Sequence, residues 1–498
     1  MRYLFLLLVA ALPLSAQSVL VADLWPGAGG GFDLASGNGS FTVYDGKLYV
    51  DATDGTRQGI WAYDASTDAF SFVDPDGPNI GSSVDLQGAA VYDGRLFFQA
   101  NSAVWAYDAA QNDLTLIAGF DFFPPSFFAL YDGRLFFTAD FGLWAYDAAT
   151  DAVEPIRHDV DALRFGEPSG LTVFDGSLYF SAATSEEGHE LWSYTASTDA
   201  AGLVFEARPG PLGGLSRGSS FTQLGSTLYF GALQPEVGSE LHALSDGMVS
   251  LVADVSPELA LHVNAAEPFA VLGGTLYYQG AYQVFDKVDD RENGFELWAF
   301  TPGSLPVEVA DIFPGPGSSV PFNLTPFGGS LYFAADDGTL GTELWRLRIV
   351  NGDAILGVDD INPDNDGEVS SGSSVPGGFT EYAGALFFVA YAPSTGYELR
   401  RIGMPTAADP APEPLASTLR LTGPSPFADR TTFELDAQGA LRVAVFDLLG
   451  RRVRTLHDGP TNGQTRLELR SEGLAPGLYV VRADGPSVRE ALRVVVAR

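Results

Sequence analysis

Tyr44-Asp45-Gly46-Lys47-Leu48-Tyr49-Val50 is the stretch whose reading decides the fold. Its Asp-Gly pair stands between two apolar runs. The tight turn joining two antiparallel strands needs positive φ at its centre, which Gly and Asp tolerate best. The phrase therefore reads as a hairpin, and it recurs. Tyr92-Asp93-Gly94-Arg95-Leu96-Phe97-Phe98 and Tyr131-Asp132-Gly133-Arg134-Leu135-Phe136-Phe137 follow, and later copies are anchored on Leu178, Leu228, Leu276, Leu331 and Leu386. Counted from Leu48, successive anchors lie 48, 39, 43, 50, 48, 55 and 55 residues apart. A unit of that length cannot bury its apolar face alone and must stack on its neighbours.

Each copy parses into four short strands. The first ends in the Tyr-Asp-Gly turn and the second is the Leu-aromatic strand. The third carries Trp61, Trp105, Trp144, Trp192, Trp298 or Trp345, with His242 and Arg400 in that place in two copies. The fourth is short and ends in an acid. Four antiparallel strands per period form a β-propeller blade. Val19-Leu20-Val21-Ala22-Asp23-Leu24-Trp25 has the form of a fourth strand with no blade before it, and the eighth copy stops after its third strand. The N-terminal strand is expected to complete the last blade and close the ring, leaving no open edge there. The expected fold is all-β: an eight-bladed propeller (seven blades being the alternative count) over residues 17–402, followed by a small Ig-like β-sandwich.

Asp336-Asp337-Gly338-Thr339-Leu340-Gly341-Thr342-Glu343-Leu344-Trp345 resembles the "ELW" propeller repeats of secreted bacterial proteins, and Glu190-Leu191-Trp192 and Glu296-Leu297-Trp298 share its signature. Trp61-Ala62-Tyr63-Asp64 looks kelch-like. The resemblance covers about residues 19–402 and implies a propeller without implying an activity. The copper-oxidase form of the kelch propeller needs a Cys-linked Tyr, and the chain has no Cys.

Residues 1–16 read as a secretory signal peptide. Arg2 supplies the basic start, residues 4–12 the apolar run, and Leu14-Ser15-Ala16 the cleavage site. That run is too short to cross a bilayer, and no later stretch reads as a transmembrane segment. The absence of Cys also excludes a disulfide framework and a lipobox anchor. Between Gln17 and Pro414 acids outnumber bases 54 to 14, which argues against nucleic acid and anionic membranes as partners. Only Lys47 and Lys287 among the 27 basic residues are Lys, a bias that resembles proteins of salt-loving bacteria.

The balance reverses after a Pro/Ala linker at residues 403–414: from Leu415 to Arg498 there are 12 bases and 9 acids. Alternating runs at 431–435, 441–446, 465–469, 478–482 and 491–496 read as strands. Pro424-Ser425-Pro426-Phe427, Val443-Ala444-Val445-Phe446-Asp447-Leu448-Leu449-Gly450-Arg451 and Leu474-Ala475-Pro476-Gly477-Leu478-Tyr479 closely resemble, in order, the three motifs of the type A C-terminal sorting domain of the type IX secretion system. Ser425 stands where that family usually has Asn. The resemblance covers residues 415–498. It implies export across both membranes, removal of the module near the linker, and release or attachment at the cell surface. The implied partners are the type IX translocon and a sortase-like peptidase. The motif residues that would carry the signal are Pro426, Phe427, Asp447, Gly450, Arg451, Gly477 and Tyr479.

Candidate chemistry is sparse. Asn362-Pro363-Asp364-Asn365-Asp366-Gly367 places oxygens at positions 1, 3 and 5 of a calcium loop, making Asn362, Asp364 and Asp366 candidate calcium ligands. The bidentate Glu expected at position 12 is replaced by Ser373. The five His show no metal-ligand spacing, and no phosphate loop or nucleophile elbow stands out. The Trp column and the acid ending each fourth strand read as packing and turn chemistry. The expected function is a non-catalytic binding or adhesion module for an extracellular glycan or protein, with no cofactor beyond a possible calcium. The alternative is an extracellular hydrolase or lyase. Either way the site is expected on the loops from fourth strands to the next blade, the longest at residues 26–40, 208–220, 256–267 and 362–378.

Overall fold

The computed structural model describes residues 8–11, 17–27, 30–32, 41–73, 84–157, 166–184, 186–253, 259–263, 268–284, 294–315, 317–350, 353–363, 372–403, 418–423, 425, 427–446, 452–474, 477–485 and 488–497. Among them there is no helix, and strands build everything. The chain divides into two compact units. One holds residues 16–348 and 358–404, the other residues 405–498 with 1–15 and 349–357.

The first sheet shows the repeated scheme. Thr42–Tyr44, Lys47–Thr53, Gln58–Asp64 and Ala69–Phe72 pair each with the next, antiparallel throughout. Asp45 and Gly46 sit at φ 46° and 72°, the left-handed pair that a two-residue hairpin requires. Eight sheets of this kind follow one another among the described residues. The sixth gains a strand, Leu259–Val263, because Thr275–Val284 is long enough to pair with it as well as with Ala270–Leu272. Leu8–Ala11, inside the stretch read as an export signal, lies beside Asp353–Asp359.

All eight anchor leucines are 0 % exposed, because each second strand is covered on both faces. Tyr49, Ile60 and Ala62 of the first sheet share a core with Leu96, Phe98 and Trp105 of the second. Burying one such leucine contributes about 1.5–3 kcal/mol, so every sheet depends on its neighbours for stability. The Trp indoles are part of the same packing: Trp61, Trp105, Trp192, Trp298 and Trp345 are buried.

The tyrosine of the repeated phrase has a role of its own. The Tyr44 hydroxyl donates to the Gly94 carbonyl (2.8 Å) and accepts the Ala109 amide (3.1 Å), both in the following sheet. Tyr92 does the same to Gly133 and Ala148, and Tyr131 to Gly176 and Ala196. Tyr382 of the eighth sheet makes the identical pair with Gly46 (2.8 Å) and Ala65 (3.2 Å) of the first. Phe387, Val389 and Leu399 also share one core with Leu48, Val50 and Tyr63. The succession of sheets therefore returns on itself. The eighth sheet takes its fourth strand from the N-terminus: Val19–Ala22 pairs with Gly396–Gly403.

In the C-terminal unit the separate runs 431–435 and 441–446 form one strand, Arg430–Phe446, because residues 436–440 continue the pairing with Arg452–Arg470. Thr418–Leu421, Gly477–Gly485 and Val488–Val496 complete a single hydrogen-bonded set. Phe433, Leu435, Val443, Val445, Leu469 and Val481 form its core, each 0 % exposed.

Candidate functional site

In a four-stranded antiparallel sheet the turn between strands two and three lies at the same end as the connection leaving strand four. The connections leaving fourth strands start at that end, and buried carboxylates hold four of them. Glu190, Glu240, Glu296, Glu343 and Glu398 all precede the Leu of the third strand, and all are 0 % exposed. Glu190 accepts the Ala207, Arg208 and Gly214 amides at 2.8, 3.0 and 2.9 Å. Glu296 accepts the Ile312 and Ser319 amides and the Ser319 hydroxyl, and Glu343 likewise takes Ile361 and Ser374. Glu398 takes the Leu24, Trp25 and Gly31 amides from the N-terminal segment. Glu190, Glu296, Glu343 and Glu398 thus each tie the start of the loop that follows their sheet to a later point of the same loop. The signal for this was present in the sequence: a charged residue placed beside Leu and Trp on a strand buried on both faces must be satisfied internally.

Burial raises these carboxyls, against the pull of the amides they accept. Glu296 and Glu398 are pushed up to about 7 and Glu343 to about 8, with the neighbouring acids Asp311, Asp23 and Asp360 adding to the rise. A carboxyl that holds its proton more tightly folded than unfolded contributes stability that is complete below the ordinary value of 4.5 and is lost as pH rises through the folded value. The thermal midpoint is therefore expected to fall steadily between pH 5 and about pH 8. Glu343→Gln removes one titrating group and should flatten that slope; an unchanged slope would contradict the assignment.

The third sheet has Gly142 at the Glu position, and its Asp140 instead holds the connection that enters the sheet from the second. Its carboxylate accepts the Asp121, Phe122 and Phe123 amides at 3.2, 2.8 and 2.9 Å. This fixes the shortest of the connections, and beside it opens a cleft of about 380 Å3. The rings of Phe123, Phe127 and Phe141 wall the cleft together with Pro124 and Pro168. Phe123 and Phe141 meet edge to face at 4.0 Å between centroids. Arg217 Nε pairs with Glu167 Oε2 at 3.2 Å, and its guanidinium stands 6.0 Å from the Phe123 ring centroid. His189 lies within electrostatic reach of both, and burial lowers its pKa. Its Nδ1 is 3.3 Å from the Ser181 hydroxyl.

Two of these rings sit on unusual backbone. The first strands of the second, third, fourth, seventh and eighth sheets carry a bulge where the register slips. Gly88, Gly170, Asn323 and Gly378 occupy its left-handed position elsewhere, whereas the third sheet has Phe127, at φ 52°. Phe141 is the second residue of a left-handed hairpin turn, at φ 58°, and Glu167 is also left-handed, at φ 48°. Such conformations cost about 1–3 kcal/mol each and collect where function requires them. Phe127 and Phe141 are nevertheless 42 % and 41 % exposed, so burial does not offset that cost.

The calcium candidates fall mostly outside the described residues: Asp364 and Asp366 do, while Asn362 is 2 % exposed. Its Nδ2 donates to the Ser373 carbonyl at 3.1 Å, and its buried Oδ1 has no hydrogen-bond partner. No group of three His, Cys, Asp or Glu among the described residues is placed to hold a metal. Of the sorting-motif residues, Pro426, Asp447, Gly450 and Arg451 lie outside the described residues. Phe427 is buried and pairs in parallel with Val496, Gly477 begins a strand, and Tyr479 is buried in the module's core. Ser425 Oγ accepts the Val495 amide at 3.0 Å. His242, in a Trp position, is core: it stacks on Phe230 and is bonded at both nitrogens. The aromatic cleft was not singled out from the sequence, although Phe122-Phe123-Pro124-Pro125-Ser126-Phe127-Phe128 carries more apolar residues than one strand face can hide.

No family model matches the chain, and comparison by sequence finds no curated relative. Among solved structures, a prolyl endopeptidase is 10 % identical over 80 % of this chain and 55 % of that one, with a TM-score of 0.37. The chain thus spans about half the length of that protein. A puromycin hydrolase is 13 % identical over 86 % of this chain and 62 % of its own, at 0.39. An oligogalacturonate lyase in complex with manganese is 12 % identical over 72 % and 96 %, at 0.37. Likeness at this level carries no argument about what this chain does.

Proposed function

We propose that the chain is an exported eight-bladed β-propeller that binds a glycan or protein outside the cell without acting on it chemically. The observation that carries this reading is the cleft beside the third sheet, where Phe127 and Phe141 are held half exposed on left-handed backbone. Aromatic walls with a single ion pair suit recognition. The eight-blade count is supported by the eight successive sheets and by the Tyr382 bonds to the first. Export through the type IX system is supported by the three C-terminal motifs; residues 415–498 would form the removable β-sandwich that the translocon and a sortase-like peptidase act on. Calcium at residues 362–367 is supported by oxygen spacing and by the unpartnered Asn362 Oδ1.

A second reading, an extracellular hydrolase or lyase, is favoured by His189 lying within electrostatic reach of the Glu167–Arg217 pair. A glycan array run alongside a panel of polysaccharide substrates separates the two. Retention without turnover is expected, and turnover of any substrate would refute the binding reading. Deleting residues 415–498 is expected to leave the remaining protein folded but held in the periplasm. Normal secretion of that chain would refute the sorting assignment.

A further inference from the structure

We infer that the cleft between Phe127, Phe141 and the Glu167–Arg217 pair is a subsite for an uncharged saccharide ring. This rests on the binding reading above and names its ligand class. Three features of the cleft define that class.

The first is shape and polarity. Rings that carry no hydroxyl, Phe123, Phe127 and Phe141, offer flat apolar faces to the C–H surface of a pyranose. The second is the ion pair at the rim. A sugar hydroxyl both donates and accepts. A guanidinium that only donates, held 3.2 Å from a carboxylate that only accepts, serves two neighbouring hydroxyls at once. The Arg217 side chain is 63 % exposed, so donors remain free for a ligand after the contact with Glu167. The third is charge. Arg217 and Glu167 cancel locally, and the chain as a whole carries a net charge of −36. A uronate or sulfated sugar would meet that field with no excess cation to receive it, so the neutral ring is favoured over the anionic one.

The backbone supplies an unusually clean test. Left-handed positions suit Gly, so Phe127→Gly and Phe141→Gly remove the rings while relieving the backbone. The full secreted chain and the double variant are titrated with cellohexaose, laminarihexaose, mannohexaose and xylohexaose, with hexagalacturonate, and with an aromatic-rich peptide. The expected result is that the wild type binds at least one neutral oligosaccharide. The double variant should bind it about tenfold or more weakly while its thermal midpoint is unchanged or higher. Arg217→Leu should weaken binding as well. Binding of a neutral sugar that survives the double substitution overturns the assignment of this cleft. Binding of the galacturonate or the peptide alone overturns the ligand class but leaves the binding reading standing. Failure of every neutral probe to bind the wild type overturns the inference, and turnover of any probe instead defeats the reading beneath it.

Discussion

A chain lacking residues 19–25 unfolds with a stability about 3 kcal/mol or more below the wild type and is cut by protease in its eighth sheet first. The deletion removes Val19–Ala22, the fourth strand of that sheet, and leaves Gly396–Gly403 with an open edge. It also removes the Leu24 and Trp25 amides and displaces Gly31, so the buried Glu398 carboxylate loses all three of its backbone donors. A buried acid stripped of its partners is among the few single lesions that cost several kcal/mol. Ring closure can be separated from simple strand loss by a milder pair of changes. Tyr382→Phe deletes the hydroxyl that bonds Gly46 and Ala65 across the seam between last and first sheets, and Tyr131→Phe deletes the equivalent bonds inside the array. In a closed ring the two substitutions cost about the same, roughly 1–2 kcal/mol each. In an open arc Tyr382→Phe would be silent in chemical denaturation, and that result would sink the closure.

The architecture was legible because hairpin chemistry is local. Asp45-Gly46 and its copies announce their turns from two residues, and the anchor leucines give the period without any knowledge of what lies opposite. Even the missing fourth strand of the eighth sheet could be matched to residues 19–25, since the two deficits complement each other. The tyrosine of the same phrase was a different matter. Its hydroxyl acts on the next sheet, about one period along the chain, and nothing near Tyr44 states that Gly94 and Ala109 are waiting. The acid of Glu-Leu-Trp was seen as part of a signature and not as a loop anchor for the same reason: its partners lie in a connection of variable length. The cleft was least legible of all. Loop length drew attention to residues 208–220, which supply Arg217, but the aromatic wall comes from the shortest connection and from two backbone positions where Gly or Asn is the ordinary choice. Phe127 and Phe141 look unremarkable in sequence, and only their φ values mark them as costly.

Glu190→Ala is expected to couple those two levels, destabilising the propeller and disabling the cleft together. Its carboxylate accepts the Ala207, Arg208 and Gly214 amides, of which the Ala207 and Gly214 contacts are buried. Replacing it strands these donors away from water, and leaving each unmade costs about 1–3 kcal/mol, so a total of about 3–5 kcal/mol is expected. Little relaxation is available, because a Cβ at Gly213 would meet the His189 amide at 2.4 Å and one at Gly214 would meet Ala207 at the same distance. The loop therefore cannot sink to fill the space. Arg217 lies three residues beyond Gly214 on that loop, so its pairing with Glu167 should loosen even though neither residue is touched. Hydrogen exchange gives the local readout: the Ala207 and Gly214 amides should lose protection, while amides of the first sheet keep theirs. Ser181→Ala is the comparison: it removes a bond to the Ser216 carbonyl of the same loop but no donor to Glu190, so the Ala207 and Gly214 amides should keep their protection. A Glu190→Ala chain with wild-type exchange at Ala207 and Gly214 would show that the carboxylate is not what holds the loop, and a loss of stability below about 1 kcal/mol would do the same.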